Sequence, residues 1–136
     1  MPKRCRGLFL GRISFTTRSE SPKSSFENED YWDACLHALR HLETKVREKC
    51  ELSAEDHGVN LINKAFNPDR GILKIPLCAT KSEEEGFLSI NRGIVLFHRN
   101  AKGHREGSLT RKDAIKIISY VDYLLEILKS AQKRNP

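Results

Sequence analysis

The chain is predicted to be all-α, a four-helix bundle, on three observations. Four segments repeat apolar residues at three- and four-residue intervals, and three of them follow a Ser or Thr with an acidic residue three positions on. No two alternating segments read as a convincing strand pair. Helices with a single apolar stripe must bury it against one another, which makes a shared core the expected outcome.

The first helix is expected from Glu29 to about Cys50, where Trp32, Cys35, Leu36, Leu39, Leu42 and Val46 share one face. Ser53 with Asp56 suggests the cap of a shorter second helix holding Val59, Leu61, Ile62, Ala65 and Phe66, which Asn67-Pro68 stops. Residues 69–80, with the run Ile72-Leu73-Lys74-Ile75-Pro76-Leu77, lack helical period and read as a long irregular connection between helices two and three. Ser82 with Glu85 forms the expected cap of the third helix, and the acidic run Glu83-Glu84-Glu85 suits the positive end of its dipole. Its stripe is Phe87, Ile90, Ile94, Phe97 and Ala101, with Gly103 as the point where regular winding ends. Thr110 and Asp113 open the fourth helix, whose inner face is Ala114, Ile117, Ile118, Val121, Leu124, Leu125 and Leu128.

A chain of 136 residues suits one domain. With 38% hydrophobic and 31% charged residues it has the composition of a globular protein and not of a disordered one. Apolar runs such as Gly93-Ile94-Val95-Leu96-Phe97 fall far short of the ~20 residues needed to cross a bilayer, so no membrane role is expected. Cys5, Cys35, Cys50 and Cys78 form no Cys-x-x-Cys pair and no regular spacing with histidine, so no metal and no cofactor is expected. They read as reduced thiols of a cytoplasmic protein.

The net charge of +6 favours an anionic partner. Residues 1–28 carry Lys3, Arg4, Arg6, Arg12, Arg18 and Lys23 against Glu20 and Glu27, and with Gly7, Gly11, Pro22 and a Ser-rich stretch they read as a basic, flexible arm preceding a helical domain at 29–132. Within the arm, Leu8, Leu10, Ile13 and Phe15 form a short strand or pack on the body. Arg12 breaks that apolar stretch, which leaves no secretory core. A second basic concentration holds Arg99, Lys102, Arg105, Arg111 and Lys112 against Glu106 alone; it is either a solvated helix end or an anion-binding surface.

Within that concentration, Arg99 falls in the last turn of the third helix and His104 follows just beyond Gly103. An imidazole titrates near neutral pH and can take or return a proton. A guanidinium stays cationic, and its planar fork suits two phosphate oxygens. Asn100 adds a neutral group able to orient a phosphate. Together they supply what phosphodiester cleavage needs without a metal.

Arg99-Asn100-x3-His104 at a helix end resembles the Arg-x4-6-His signature of the HEPN superfamily, and within it the Ymh-like subfamily found among phage-defence and toxin-like proteins. The likeness covers roughly residues 29–130 through Ala34-x3-Ala38-x3-Leu42-Glu43-x2-Val46-Arg47, Gly58-x2-Leu61-x3-Ala65-Phe66 and Glu85-Gly86-x6-Gly93-x5-Arg99-Asn100. Ala101 stands where the subfamily often has proline. The resemblance implies a HEPN-type four-helix bundle that forms a homodimer, two motifs facing one cleft, and metal-independent endoribonuclease activity on RNA. His104 would be general acid or base, Arg99 the phosphate contact and Asn100 a positioning group, with Lys102 and Arg105 binding substrate. Glu43 and Arg47 lie four apart on one helix face and either line the same cleft or form a surface ion pair. A cognate antitoxin or a nucleotidyltransferase is the further partner implied. Some relatives are inactive, so a non-catalytic RNA- or nucleotide-binding or dimerisation module is the alternative expectation.

Overall fold

The computed structural model describes residues 22–99 and 109–135. Their elements run α1 (Pro22–Glu27), α2 (Tyr31–Cys50), α3 (Gly58–Phe66), β1 (Leu73–Lys74), α4 (Lys81–Ile94), a π-helical turn (Val95–Arg99), α5 (Arg111–Lys129) and β2 (Gln132–Lys133). The described residues are mostly helical, in keeping with an all-α protein, with two short strands among them. Among the described residues no helix is long and apolar enough to cross a membrane.

α2 begins where the Asp30 carboxylate accepts from the Asp33 N–H at 3.1 Å, and it ends where Glu51 adopts a left-handed φ of 56°. Its expected face is buried, except that Trp32 is only half-buried. α5 begins at Thr110, whose hydroxyl accepts from the Asp113 N–H at 3.1 Å, and buries Ala114, Ile117, Ile118, Val121, Leu124 and Leu128. The two helices share the most extensive contact among the described elements. They run parallel: the Cys35 thiol reaches the Ala114 carbonyl near one end, and the Lys49 ammonium donates to the Lys129 carbonyl at the other. Burial pushes the Cys35 thiol up to about 12 and the Cys50 thiol up to about 11, so both are inert side chains of the core.

Several expectations need correction. The predicted arm does not extend to residue 28, because α1 folds onto the body. Phe26 is buried, meets Tyr31 edge-to-face at 5.3 Å, and lies 5.4 Å beneath the Arg111 guanidinium. The serines around it obscured that one aromatic anchor. Leu8, Leu10, Ile13, Phe15 and Cys5 lie outside the described residues.

The connection at 69–80 is not wholly irregular. β1 pairs antiparallel with β2, Leu73 opposite Lys133 and Lys74 opposite Gln132, and the Arg134 N–H donates to the Ile72 carbonyl at 2.8 Å. The folded unit therefore passes the expected boundary at 132. At the head of the connection, the Asn67 side chain accepts from the Asp69 and Arg70 N–H groups, both at 2.9 Å. Gly71 then passes so close that a Cβ there would lie 2.4 Å from the Asn67 carbonyl oxygen.

α4 starts earlier than expected. Thr80, not Ser82, is the N-cap: its hydroxyl accepts from the Glu83 N–H at 3.2 Å, and the Glu83 carboxylate accepts from the Thr80 N–H at 2.7 Å. The inner face is also rotated from the expected stripe, with Phe87, Leu88, Asn91, Ile94 and Val95 buried while Ile90 and Phe97 are exposed. From its first turn Glu84 binds the ladder, accepting from Lys74 at 3.0 Å and from Arg134 at 2.8 Å. Burial works against this carboxylate, but the two cations that hydrogen-bond it prevail and hold it below the usual carboxylate range.

Gly71→Ala should destabilise the protein by about 1–3 kcal/mol, since the added methyl meets rigid backbone. Gly93→Ala, where a Cβ meets nothing within 4 Å, should stabilise it by about 0.5–1 kcal/mol; urea denaturation of both variants checks the contrast. A depressed folded pKa means that the Glu84 contribution is present above the unfolded value of about 4.3 and is lost as pH falls through the lower folded value. The stability difference between the parent and Glu84→Gln should accordingly be largest near neutrality and vanish in acid, read from denaturation midpoints across pH.

Candidate functional site

Where α4 ends, the chain passes into the π-helical turn Val95–Arg99. Such turns are rare, because i→i+5 bonding widens the helix, and they recur at functional sites. Val95 is buried at 2% exposure and anchors this one, while Leu96 and Phe97 are exposed and the backbone of Arg99 closes it. The Phe97 and His98 rings meet edge-to-face at 4.7 Å. The segment that follows rejoins the described structure at Leu109, immediately before the Thr110 cap of α5.

The two ends of that segment border one open pocket of about 490 Å³. Ile94, Phe97 and His98 contribute from the α4 side, Leu109, Asp113, Lys116, Ile117 and Tyr120 from the α5 side, and Trp32 from the first turn of α2. The pocket exists because α4 packs chiefly on α3, and its π turn on α2 and α3, leaving space beside the start of α5. Its floor is apolar, through Ile94 and Ile117, while Tyr120 is 40% and Phe97 58% exposed at the rim. The Thr110 hydroxyl donates to the Asp113 carboxylate at 2.7 Å, which fixes one polar group of the wall.

The expected site residues fall into two groups. Of Arg99 the backbone alone is described, as the last residue of the π-helical turn, and Asn100, Lys102, His104 and Arg105 lie outside the described residues, as do Ala101 and Gly103. Glu43 and Arg47 do share one face of α2, yet that face meets the segment leading into α3. Glu43 is 3% exposed, and its carboxylate accepts from the Gly58 N–H at 3.3 Å. Arg47 donates to the Asp56 carbonyl at 2.8 Å and to the Thr44 hydroxyl at 3.4 Å. The expected Ser53–Asp56 cap is absent, since His57 is the N-cap and makes no side-chain bond to the helix. A carboxylate from another helix takes its place, where the α3 dipole favours negative charge. Neither residue is among those lining the pocket.

The sequence model of a family described as proteins of unknown function, Hypoth_Ymh, matches residues 20–128. The chain belongs to the Hypoth_Ymh family. No curated protein and no solved structure matches it. The Hypoth_Ymh match takes in α1 to α4, the π turn and nearly all of α5, hence every residue around the pocket, and stops before β2. Within this Hypoth_Ymh chain the sequence reading missed His98, Lys116 and Tyr120 as pocket residues and assigned Trp32 and Phe97 to the core. The available signal was the aromatic residues Phe97 and Tyr120 on either side of a basic stretch.

Glu43→Ala should destabilise the fold by about 1–3 kcal/mol, by leaving the Gly58 N–H without its acceptor. Thermal unfolding checks this, and Glu43→Gln, which keeps an acceptor oxygen, should recover part of the loss.

Proposed function

We propose that the protein is a metal-independent endoribonuclease of HEPN type, a four-helix bundle acting on RNA as a homodimer. The observation that carries this reading is the π-helical turn that borders an open, aromatic-lined pocket and ends at Arg99, in a chain where Asn100 follows at once and His104 five residues on. In the proposed reaction His104, as base, takes the proton of an RNA 2′-hydroxyl. The freed oxygen attacks the adjacent phosphorus, the bond to the 5′-oxygen breaks, and the departing oxygen is protonated, leaving a cyclic phosphate and a 5′-hydroxyl. Arg99 neutralises the charge that gathers on the phosphoryl oxygens, and Asn100 orients them. Lys102 and Arg105 hold the neighbouring backbone by charge.

Dimerisation is supported by the outer side of α4 and its π turn, where Ile90 and Leu96 are exposed on either side of Gly93, whose surroundings are open. Buried, free thiols at Cys35, Cys50 and Cys78 accord with a cytoplasmic setting. A toxin or phage-defence role, with a cognate antitoxin or a nucleotidyltransferase as partner, belongs to the same proposal.

Purified protein should cleave RNA in EDTA, and cyclic-phosphate termini should appear in the products. His104→Ala and Arg99→Ala should each lower the rate by roughly 10²–10⁴-fold, with Lys45→Ala unchanged. Activity that needs added metal, or that survives His104→Ala, rejects the mechanism. Salt-sensitive RNA binding with no cleavage would select the non-catalytic module instead.

A further inference from the structure

The pocket has more aromatic surface than phosphate chemistry requires. Trp32, Phe97 and Tyr120 come from three different elements and surround one space, with Ile94, Leu109 and Ile117 beneath them. Its volume of about 490 Å³ lies within the roughly 300–1,000 Å³ typical of small-molecule sites. A structural core would have covered Phe97 and Tyr120, which remain 58% and 40% exposed. Lys116 lines the pocket and Lys112 precedes it by one turn on the same face of α5, with Asp113 as the acid beside them. An occupant must therefore present a flat, apolar face to the rings and negative charge to the rim. An unpaired nucleotide does both.

We propose that this pocket is a base-binding subsite, holding one unpaired nucleobase of single-stranded RNA between the Phe97 and Tyr120 rings. Trp32 and the isoleucine floor close the far side, and the attached phosphate lies toward Lys116. This assignment rests on the RNA reading above and adds to it the part of the substrate that is recognised. Stacking on aromatic rings is worth about 1–3 kcal/mol per base and tolerates any base. The Asp113 carboxylate, held by Thr110, accepts from an exocyclic amine, so bases carrying one, adenine, cytosine and guanine, are preferred over uracil. A paired base has its edges occupied and its faces stacked on neighbours, which excludes duplex RNA.

Trp32 is the one tryptophan in the chain, so its fluorescence reports on this pocket alone. The probe is a 2′-O-methyl oligoadenylate of about eight nucleotides, which cannot be cleaved by 2′-hydroxyl attack, titrated into the full chain. Saturable quenching is expected, weakened at least tenfold by Tyr120→Ala and by Phe97→Ala, retained in Tyr120→Phe, and unchanged in Lys45→Ala. Oligouridylate should bind more weakly, and inorganic polyphosphate or the duplex form should leave the signal unaltered. Quenching by polyphosphate equal to that by the oligonucleotide, or full affinity in a folded Tyr120→Ala protein, overturns the assignment. Cleavage of RNA without quenching sinks the subsite and spares the catalytic reading, whereas quenching without cleavage does the reverse.

Discussion

The parallel packing of α2 on α5 is the constraint on which the remaining structure depends. Leu39, Leu42 and Val46 from one helix and Ile118, Val121 and Leu124 from the other are all at most 1% exposed. Each such side chain contributes on the order of 1.5–3 kcal/mol when removed from water. Because the pairing is parallel, both helices begin at the same end of the molecule. Trp32 and Tyr120 are thereby brought to one pocket, although nearly ninety residues of chain separate them.

α4 reaches that end by another route. Packed on α3, its rotation is set by Phe87, which meets Phe66 edge-to-face at 4.9 Å. The π turn then changes the winding so that Val95 stays buried while Phe97 and His98 come to the pocket. A regular α-helix would have continued one uniform stripe. Asn91, one turn before the change, is 1% exposed and donates to the Phe87 carbonyl at 2.8 Å, while its Oδ1 accepts from no group among the described residues. A polar atom so placed is a local cost that the surrounding packing must offset.

The helices most legible in the sequence were those whose partners lie along their whole length. α2 and α5 show clean periodicity because one side of each is buried from end to end, and the Thr110 cap was read correctly because its chemistry is local. α4 was misread at both ends. Ser82 with Glu85 has the same composition as the true Thr80–Glu83 box, and only tertiary contacts decide between them. Ile90 and Phe97 were assigned inward because apolar residues are usually buried, yet surfaces keep many apolar side chains. Two-residue strands have no period to detect, so the ladder could not be seen. Glu43 and Arg47 carried a correct spacing with no indication that they serve the start of α3. The motif at Arg99, Asn100 and His104 was legible only as a pattern, and the pocket lined by Phe97 and His98 not at all, since Trp32 and Tyr120 converge only in space.

The ladder and the pocket mark opposite ends of α2. Lys133 pairs with Glu51 just past the C-terminus of that helix, and Arg134 reaches Glu84 close by, while Trp32 stands at its other end. Twenty helical residues span about 30 Å. A label, a surface tether or a fused module attached beyond residue 134 would therefore project from the far pole, leaving the mouth between α4 and α5 unobstructed.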